Sequence, residues 1–242
     1  MDTQSAINVS HLYVQFGSST ILSDINVNIE KGKIICLLGP SGAGKTTLVK
    51  AIMGMCKFSG EISVFGQPIP SFAAMSQVGY MAQSDALYDD LSAFYNLLFF
   101  GSLFGINGAA AAKRAEELLS FVDLLKHKNK AVRYFSGGMK RRLSLAITLM
   151  HNPKLLILDE PTVGIDPLLR KKFWDEFARL KNEGCTIVVT THVMDEANHS
   201  DEIMLLRGGK IIADDTLASI LAKTGKSSME DAFLYYSTKE EE

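Results

Sequence analysis

The 242-residue chain has few cysteines and almost no net charge, and each shortage argues against a class of protein. Its three cysteines, Cys36, Cys56 and Cys185, are odd in number and lack metal-ligand spacing. Cys36 and Cys185 lie in or beside apolar strand patterns, so we expect small core residues in a reducing, cytosolic compartment. The net charge of −2 gives no indication of a nucleic-acid-binding surface, and we expect no nucleic-acid partner.

Long apolar segments are also lacking. No uninterrupted apolar run reaches the roughly 18–20 residues that a membrane span needs. The first ten residues, MDTQSAINVS, contain neither the basic nor the apolar region of a secretory signal, so we expect no secretory signal. The chain also shows no internal repeats. With 47% apolar residues, it has enough apolar side chains for the core of one large α/β domain.

A glycine-rich segment at 39–47, Gly-Pro-Ser-Gly-Ala-Gly-Lys-Thr-Thr, follows an apolar strand pattern at 34–38 and precedes a helical pattern. This is the context of the phosphate-binding motif G-x-x-x-x-G-K-[ST]. Glycines let backbone N–H groups approach a phosphate, and the helix N-terminus adds partial positive charge. Lys45 supplies a full charge for the β- and γ-phosphates, and the Thr46 hydroxyl can ligate Mg²⁺.

The hydrophobic patterns predict an α/β domain. Residues 6–30 and 61–65 alternate as antiparallel strands do, whereas 34–38, 155–158 and 186–190 are typical of buried parallel strands. We expect a phosphate-binding core at 1–85 and 155–223, with an N-terminal antiparallel β-layer on a mostly parallel sheet. Helical patterns predict an inserted subdomain at 86–154, with Ser92 as the cap of a helix, and Asp166-Pro167 predicts the cap and first residue of a later helix. A hairpin follows at 203–212, and 224–242 is expected to be a polar, partly frayed tail.

Polar residues follow the buried strand patterns. Gln83 follows a short apolar run at 78–81, and Asp159-Glu160 and His192 follow the strand patterns at 155–158 and 186–190. The ligand crevice of an open α/β sheet lies at the carboxyl ends of its strands. Taken alone, each is an ordinary surface residue, but together with the phosphate loop they predict one site. Three cations at 140–142 stand near a predicted helix start, where the macrodipole disfavours them, which indicates an anionic partner.

The order and spacing of these motifs resemble the nucleotide-binding subunit of an ATP-binding cassette (ABC) transporter over roughly residues 5 to 220. The resemblance implies a P-loop NTPase (RecA-like) fold with an inserted helical subdomain. The matching segments are GPSGAGKTT (Walker A), Gln83 (Q-loop), FSGGM at 135–139 (signature), LLILDE at 155–160 (Walker B), PTVGIDP at 161–167 (D-loop) and THVMDEA at 191–197 (switch histidine). The signature discriminates best, because other P-loop NTPases lack it.

The resemblance also implies roles for these residues. The phosphates of ATP would be held by the Walker A segment: Gly39, Pro40, Ser41, Gly42, Ala43, Gly44, Lys45, Thr46 and Thr47. Mg²⁺ would be held by Thr46, Gln83 and Asp159, directly or through water. Glu160 would act as general base, with Gln83 also in the catalytic set, and His192 would contact the γ-phosphate and keep the water in register.

The family works as a head-to-tail dimer, either of two copies or of two different subunits. In such a dimer, Ser136, Gly137 and Gly138 of one subunit would face the nucleotide held by the other, and Asp166 would communicate across the interface. Phe16 is the best match to the family's adenine-stacking aromatic, with Tyr13 as the alternative. Met139 stands where the signature frequently has glutamine, and a methionine side chain cannot donate a hydrogen bond to the opposite nucleotide.

The resemblance implies a partner and a location as well. The chain would be an ATPase on the cytoplasmic face of a membrane, powering a separate transmembrane permease subunit. SGGMKRR and the LYDDLS segment resemble the multidrug and ABC-2 type exporter group. The helical pattern at 94–104 and the loop at 83–90 are candidate docking surfaces, although an apolar helix face can equally be core.

Two other functions remain open at this point. One is a soluble ABC ATPase acting on DNA or ribosomes, but such proteins usually carry a coiled-coil insertion or two cassettes in tandem, and this chain has neither. The other is a regulatory nucleotide binder, which the presence of Lys45, Asp159, Glu160 and His192 disfavours. The transported substrate does not follow from the sequence.

Overall fold

The computed structural model describes residues 5–239 and forms ten strands and eight α-helices there. The strands are β1 (Ser5–Phe16), β2 (Ser19–Glu30), β3 (Ile34–Leu38), β4 (Ser59–Val64), β5 (Gln67–Pro68), β6 (Val78–Met81), β7 (Leu155–Asp159), β8 (Thr186–Thr191), β9 (Glu202–Arg207) and β10 (Lys210–Asp215). The helices are α1 (Lys45–Ile52), α2 (Phe72–Met75), α3 (Ala93–Leu103), α4 (Gly108–Phe121), α5 (Gly137–Thr148), α6 (Pro167–Asn182), α7 (Leu217–Thr224) and α8 (Met229–Lys239).

The chain divides into two compact units. One combines the residues up to Met75 with those from Phe177 onward, and the other is Ser76–Glu176. The second unit is longer at both ends than the predicted helical subdomain at 86–154, because it includes the strands β6 and β7. The division into an ATP-binding core and a signature-bearing subdomain stays a prediction.

The first unit contains an antiparallel sheet in the order β2-β1-β4-β5. Along the second half of β2, buried and exposed residues alternate from Ile25 to Glu30, as expected of a sheet with one face on a core. The predicted N-terminal antiparallel layer is therefore present. Its first two strands are joined by a short hairpin at Gly17 and Ser18, which closes the β1–β2 pair.

A second sheet of the first unit has the order β10-β9-β3-β8. β3 pairs in parallel with both β8 and β9, and β9 pairs with β10 in the antiparallel hairpin that the sequence predicts. All residues of β3 and β8 are buried, which explains their unbroken apolar or β-branched composition. The register sets Leu38 beside Thr191, so β3 and β8 end at the same edge.

The second unit contains the parallel pair β6 and β7 together with the helices α3, α4 and α5. Ser92 caps α3 as expected, since its hydroxyl oxygen accepts a hydrogen bond from the Tyr95 amide at 3.2 Å. Asn96 is fully buried one turn later and is satisfied by the preceding loop. Its side-chain oxygen accepts from the Tyr88 amide, and its amide donates to the carbonyls of Tyr88 and Ser92, each at 3.0 Å.

The prediction that residues 224–242 form a polar, partly frayed tail is wrong for most of that segment. α8 covers Met229–Lys239, and only residues 240–242 of the predicted tail lie outside the described residues. Met229 and Ala232 are buried in a cluster with Cys36 and Ile220, so packing provides the stability that composition did not suggest. Within residues 5–239, no helix has the length and apolar character needed to cross a membrane.

His151 lies directly after α5 in an apolar setting. Its ring stacks on Phe104 with centroids 3.7 Å apart and planes 7° apart. Nε2 is 3.2 Å from the Val78 carbonyl oxygen and must donate to it, which leaves Nδ1 as the unprotonated nitrogen. Nδ1 is buried without a hydrogen-bond partner, and burial lowers the pKa of His151.

This environment predicts a pH-dependent stability. Because the folded pKa lies below the unfolded value of about 6.5, the contribution of His151 is complete above that pH and is lost as the pH falls below it. Urea unfolding between pH 7.5 and pH 5 should show this loss, and His151→Gln should flatten the pH profile. The matched control is His127→Gln, which removes an exposed histidine of the same unit. An unchanged slope in His151→Gln contradicts the assignment.

Candidate functional site

The loop between β3 and α1 has the geometry of a phosphate cradle. Gly42 and Gly44 have left-handed φ angles of +82° and +110°, which turn the backbone sharply before the helix. α1 begins at Lys45, whose side chain is only 6% exposed. Its ammonium group donates to the carbonyl oxygens of Gly39 at 2.7 Å and Pro40 at 3.1 Å. The cation thus stays within the loop, beside the helix N-terminus.

The β9–β10 hairpin contacts this loop, which the sequence did not indicate. The Gly209 amide donates to the Ala43 carbonyl oxygen at 3.2 Å, and the Ser23 amide of β2 donates to the Gly209 carbonyl oxygen at 2.9 Å. A Cβ at Gly209 would lie 2.2 Å from the Ile21 carbonyl oxygen. This close approach and the left-handed φ of +78° both favour glycine at this position of the hairpin.

His192 follows β8 at the edge where the phosphate loop begins. Leu38 and Thr191 are register partners, so Gly39 and His192 are the next residues on two neighbouring parallel strands. The His192 side chain is exposed, while the Thr191 hydroxyl oxygen turns back to accept from the Val193 amide at 3.0 Å. Within the first unit, the structure thus brings together the phosphate loop and the predicted switch histidine.

The second unit brings Gln83 together with Asp159 and Glu160. Met81 and Leu158 are register partners, so these polar residues follow adjacent parallel strands at one edge. Gln83 is exposed, Asp159 is fully buried, and Glu160 is partly exposed. Glu160 also has a φ of +54°, a left-handed conformation that costs a non-glycine residue roughly 1–2 kcal/mol.

The cations at 140–142 have partners within the protein. Lys140 pairs with Asp89 at 2.8 Å, and Arg142 donates to the carbonyl oxygens of Val122 at 3.2 Å and Asp123 at 3.3 Å. Arg141 is buried and binds backbone carbonyls at the ends of β6 and β7. The sequence-based interpretation that these cations indicate an anionic ligand is therefore wrong, because carbonyl and carboxylate oxygens of the chain itself satisfy them.

The signature and D-loop residues lie at two helix starts. Ser136 caps α5, and its hydroxyl oxygen accepts from the Met139 amide at 3.3 Å. Gly137 has open space where a Cβ would stand, and Gly138 faces the Gly164 carbonyl oxygen. Asp166 caps α6 as predicted, with its carboxylate oxygen accepting from the Leu169 amide at 3.0 Å.

The remaining predicted site residues are compatible with their suggested partners. Phe16, at the β1–β2 hairpin, is 54% exposed against 38% for Tyr13, so it offers the larger free ring. Among the described residues, no group of three or more His, Cys, Asp or Glu side chains gathers as a metal cage. Mg²⁺ needs no such cage, since proteins commonly bind it through one or two carboxylates together with water and phosphate oxygens.

Comparison with known proteins agrees with the motifs. The model of the family described as ABC transporter matches residues 22–163. A linearmycin resistance ATP-binding protein of Bacillus subtilis (strain 168) is 39% identical over 87% of this chain and 69% of its own length. A probable multidrug ABC transporter ATP-binding protein of Escherichia coli (strain K12) is 36% identical over 96% of this chain and 41% of its own length.

Solved structures give the same fold. A structure described as the ATP-binding subunit of an ABC transporter matches with a TM-score of 0.90 at 25% identity, covering 96% of this chain and all of the other. The predicted P-loop NTPase fold class is thereby confirmed. The chain spans only part of the length of several curated relatives, 41% in the Escherichia coli protein and 32% in a G family member of Dictyostelium discoideum.

The hairpin contact to the phosphate loop predicts a difference between two adjacent glycines. Gly208→Ala meets no atom within 4 Å and should cost only the left-handed backbone penalty, whereas Gly209→Ala also places a methyl group against the Ile21 backbone. We expect Gly209→Ala to lower the free energy of unfolding by about 1–3 kcal/mol more than Gly208→Ala. Urea denaturation of both variants measures the difference, and equal losses would refute the close contact.

Proposed function

The chain belongs to the ABC transporter family, and we propose that it binds and hydrolyses ATP to power a separate transmembrane exporter. The observation that carries this function is the loop from Gly39 to Lys45, with its left-handed glycines and its inward-held ammonium at a helix start. Such a loop presents backbone N–H groups and a cation to the phosphates of a nucleotide. Phe16 would stack on the adenine through its exposed ring.

The reaction would be an in-line attack of water on the γ-phosphorus. Glu160 accepts a proton from the water while the water oxygen forms a bond to the γ-phosphorus. The bond between that phosphorus and the β–γ bridging oxygen breaks, which gives ADP and phosphate. Lys45 stabilises the negative charge of the transferred group, and His192 orients the γ-phosphate and the water. These roles require positioning and charge stabilisation and no covalent intermediate.

Mg²⁺ would be held by the Thr46 hydroxyl, the Asp159 carboxylate and the Gln83 side chain. When bound, the ion would supply positive charge that offsets the negative charge on the phosphate oxygens during transfer. Asp159 is suited to this because a fully buried carboxylate needs a nearby cation or hydrogen-bond donors. Asp159 is the last residue of β7 and Glu160 follows it, so one strand end would supply both the metal ligand and the general base.

A second nucleotide-binding subunit would complete the site. Ser136, Gly137 and Gly138 stand at the start of α5, where backbone N–H groups and the helix dipole attract an anion. Gly137 leaves open space for a ligand or partner to approach the backbone. We propose that this segment closes over the γ-phosphate held by the partner's Walker A loop, and that Asp166 lies at the same interface.

The permease would dock on the aromatic surface of the second unit. Tyr95 and Leu103 of α3 are 62% and 63% exposed, and Tyr88 in the preceding loop is 49% exposed. Ala93, Leu97 and Gly101 of the same helix are buried, so α3 packs on one face and offers apolar side chains on another. The two relatives described above are named for drug resistance and multidrug transport, which favours export and a location at the cytoplasmic face of a membrane.

The two alternative functions have less support. The Escherichia coli relative and the ATP-binding subunit structure carry transporter names, which disfavours an ATPase acting on DNA or ribosomes. A purely regulatory nucleotide binder has no need for Glu160 and His192 at the strand ends. Recovery of ribosomes or DNA, and no polytopic membrane protein, with the purified chain would reverse this preference.

Replacing the general base is the direct test of the proposed reaction. Glu160→Gln keeps the size and polarity of the side chain but cannot accept the proton, so ATP turnover should fall by about 10²- to 10⁴-fold while ATP binding is retained. Steady-state phosphate release and fluorescent-nucleotide binding measure the two quantities. Glu117→Gln, an exposed glutamate of the same unit, is the control and should match the wild type. Unchanged turnover in Glu160→Gln would remove Glu160 from this role.

A further inference from the structure

Arg141 has an unusual set of partners for a helix-start cation. It lies in the second turn of α5, and its side chain contacts the ends of two strands. Nη1 donates to the carbonyl oxygens of Ala82 at 2.7 Å and Gln83 at 3.1 Å, just after β6. Nη2 donates to the carbonyl oxygens of Asp159 and Glu160, at the end of β7, the latter at 2.9 Å.

These hydrogen bonds offset the free-energy cost of burying the charged guanidinium group of Arg141. Arg141 is 7% exposed, and burial lowers its pKa, although the carboxylates of Asp85, Asp159 and Glu160 oppose that shift. A guanidinium group presents five N–H donors in a fixed plane, so one side chain can serve four separate carbonyls. The ammonium of a lysine has three donors on one nitrogen and lacks that reach.

The carbonyl of Glu160 belongs to a strained residue. Its φ of +54° is a conformation that persists only where the surroundings enforce it. Arg141 holds the carbonyl oxygen of this residue and that of Asp159 before it. The guanidinium is thus one of the contacts that hold the backbone of the proposed general base in its left-handed conformation.

The segment after Gln83 is tied to the same part of the chain by charge. Asp85 is 3.7 Å from Arg141 Nη1 and accepts a hydrogen bond from the Ser144 hydroxyl at 2.7 Å. Asp89 pairs with Lys140 at 2.8 Å, and Asp90 pairs with Arg133. The three aspartates that stand out in the sequence after Gln83 therefore each face a cation within 133–142. Of these three cations, only Arg141 is buried.

We propose that Arg141 is a positioning residue for ATP hydrolysis, fixing the backbone at Gln83 and at Glu160 relative to the start of α5. This inference rests on the proposed function, since the two residues it positions are the proposed metal ligand and general base. A movement of α5 that displaces the Arg141 guanidinium would alter both strand ends together. Arg141 acts through the backbone carbonyls that it holds.

The test compares Arg141→Lys with Lys140→Gln. Arg141→Lys keeps the charge but not the four contacts, so kcat should fall by about 10- to 100-fold while KM for ATP changes little. Lys140→Gln removes the adjacent cation and only a surface ion pair, and its kcat should stay within about twofold of the wild type. A merely structural role would reduce thermal stability without lowering kcat per folded molecule.

Hydrogen exchange gives a readout that does not depend on ATP turnover. Amides at 82–87 and at 159–163 should both exchange faster in Arg141→Lys, and neither should change in Lys140→Gln. Wild-type kcat in Arg141→Lys, unchanged exchange at either segment, or a folding failure confined to Arg141 variants would each overturn the inference. If wild type and Lys140→Gln both fail to hydrolyse ATP, the proposed function fails, and the exchange data still decide whether Arg141 fixes both strand ends.

Discussion

The register of paired parallel strands is the constraint on which the rest of this structure depends. β3 and β8 are buried along their whole length, so the polar residues of the proposed site that follow them stand beyond the last strand residue. Because Leu38 pairs with Thr191, the phosphate loop and His192 emerge together. The pairing of Met81 with Leu158 does the same for Gln83 and for the two acidic residues at the end of β7. A shift of register by one residue would move these groups apart by about 3.3 Å along the strands.

Strand register alone leaves the residues beyond the strands free to move, and hydrogen bonds to backbone carbonyls restrain them. In the first unit, the hairpin amide of Gly209 holds the carbonyl of Ala43. In the second unit, the buried guanidinium of Arg141 holds the carbonyls after β6 and β7. These restraints matter for catalysis because a reaction that needs no covalent intermediate depends on the placement of donors, the base and water.

Local patterns predicted much of the fold, because the strands, the hairpin and the caps are determined by neighbouring residues. The buried strand at 34–38, the cap of α6 by Asp166 and the cap of α3 by Ser92 are examples. The family, predicted from its motifs, is confirmed by the match at residues 22–163. Contacts with backbone carbonyls were missed, since a carbonyl acceptor leaves no signature in the sequence, and the partners of Arg141 are up to 59 positions away. α8 was missed because Met229 and Ala232 gain their stability from a distant cluster around Cys36.

In the proposed dimer, each ATP site combines the Walker A loop of one subunit with the signature segment of the other. Mixing two inactive variants tests whether the site is shared in this way. Lys45→Met removes the phosphate cation and Ser136→Arg blocks the signature, so each variant alone should lack ATP turnover. In a head-to-tail dimer, every mixed pair contains one intact site, and an equal mixture should regain about a quarter of wild-type turnover. A mixture that stays as inactive as its components, or a fully active Ser136→Arg variant alone, would contradict the shared site.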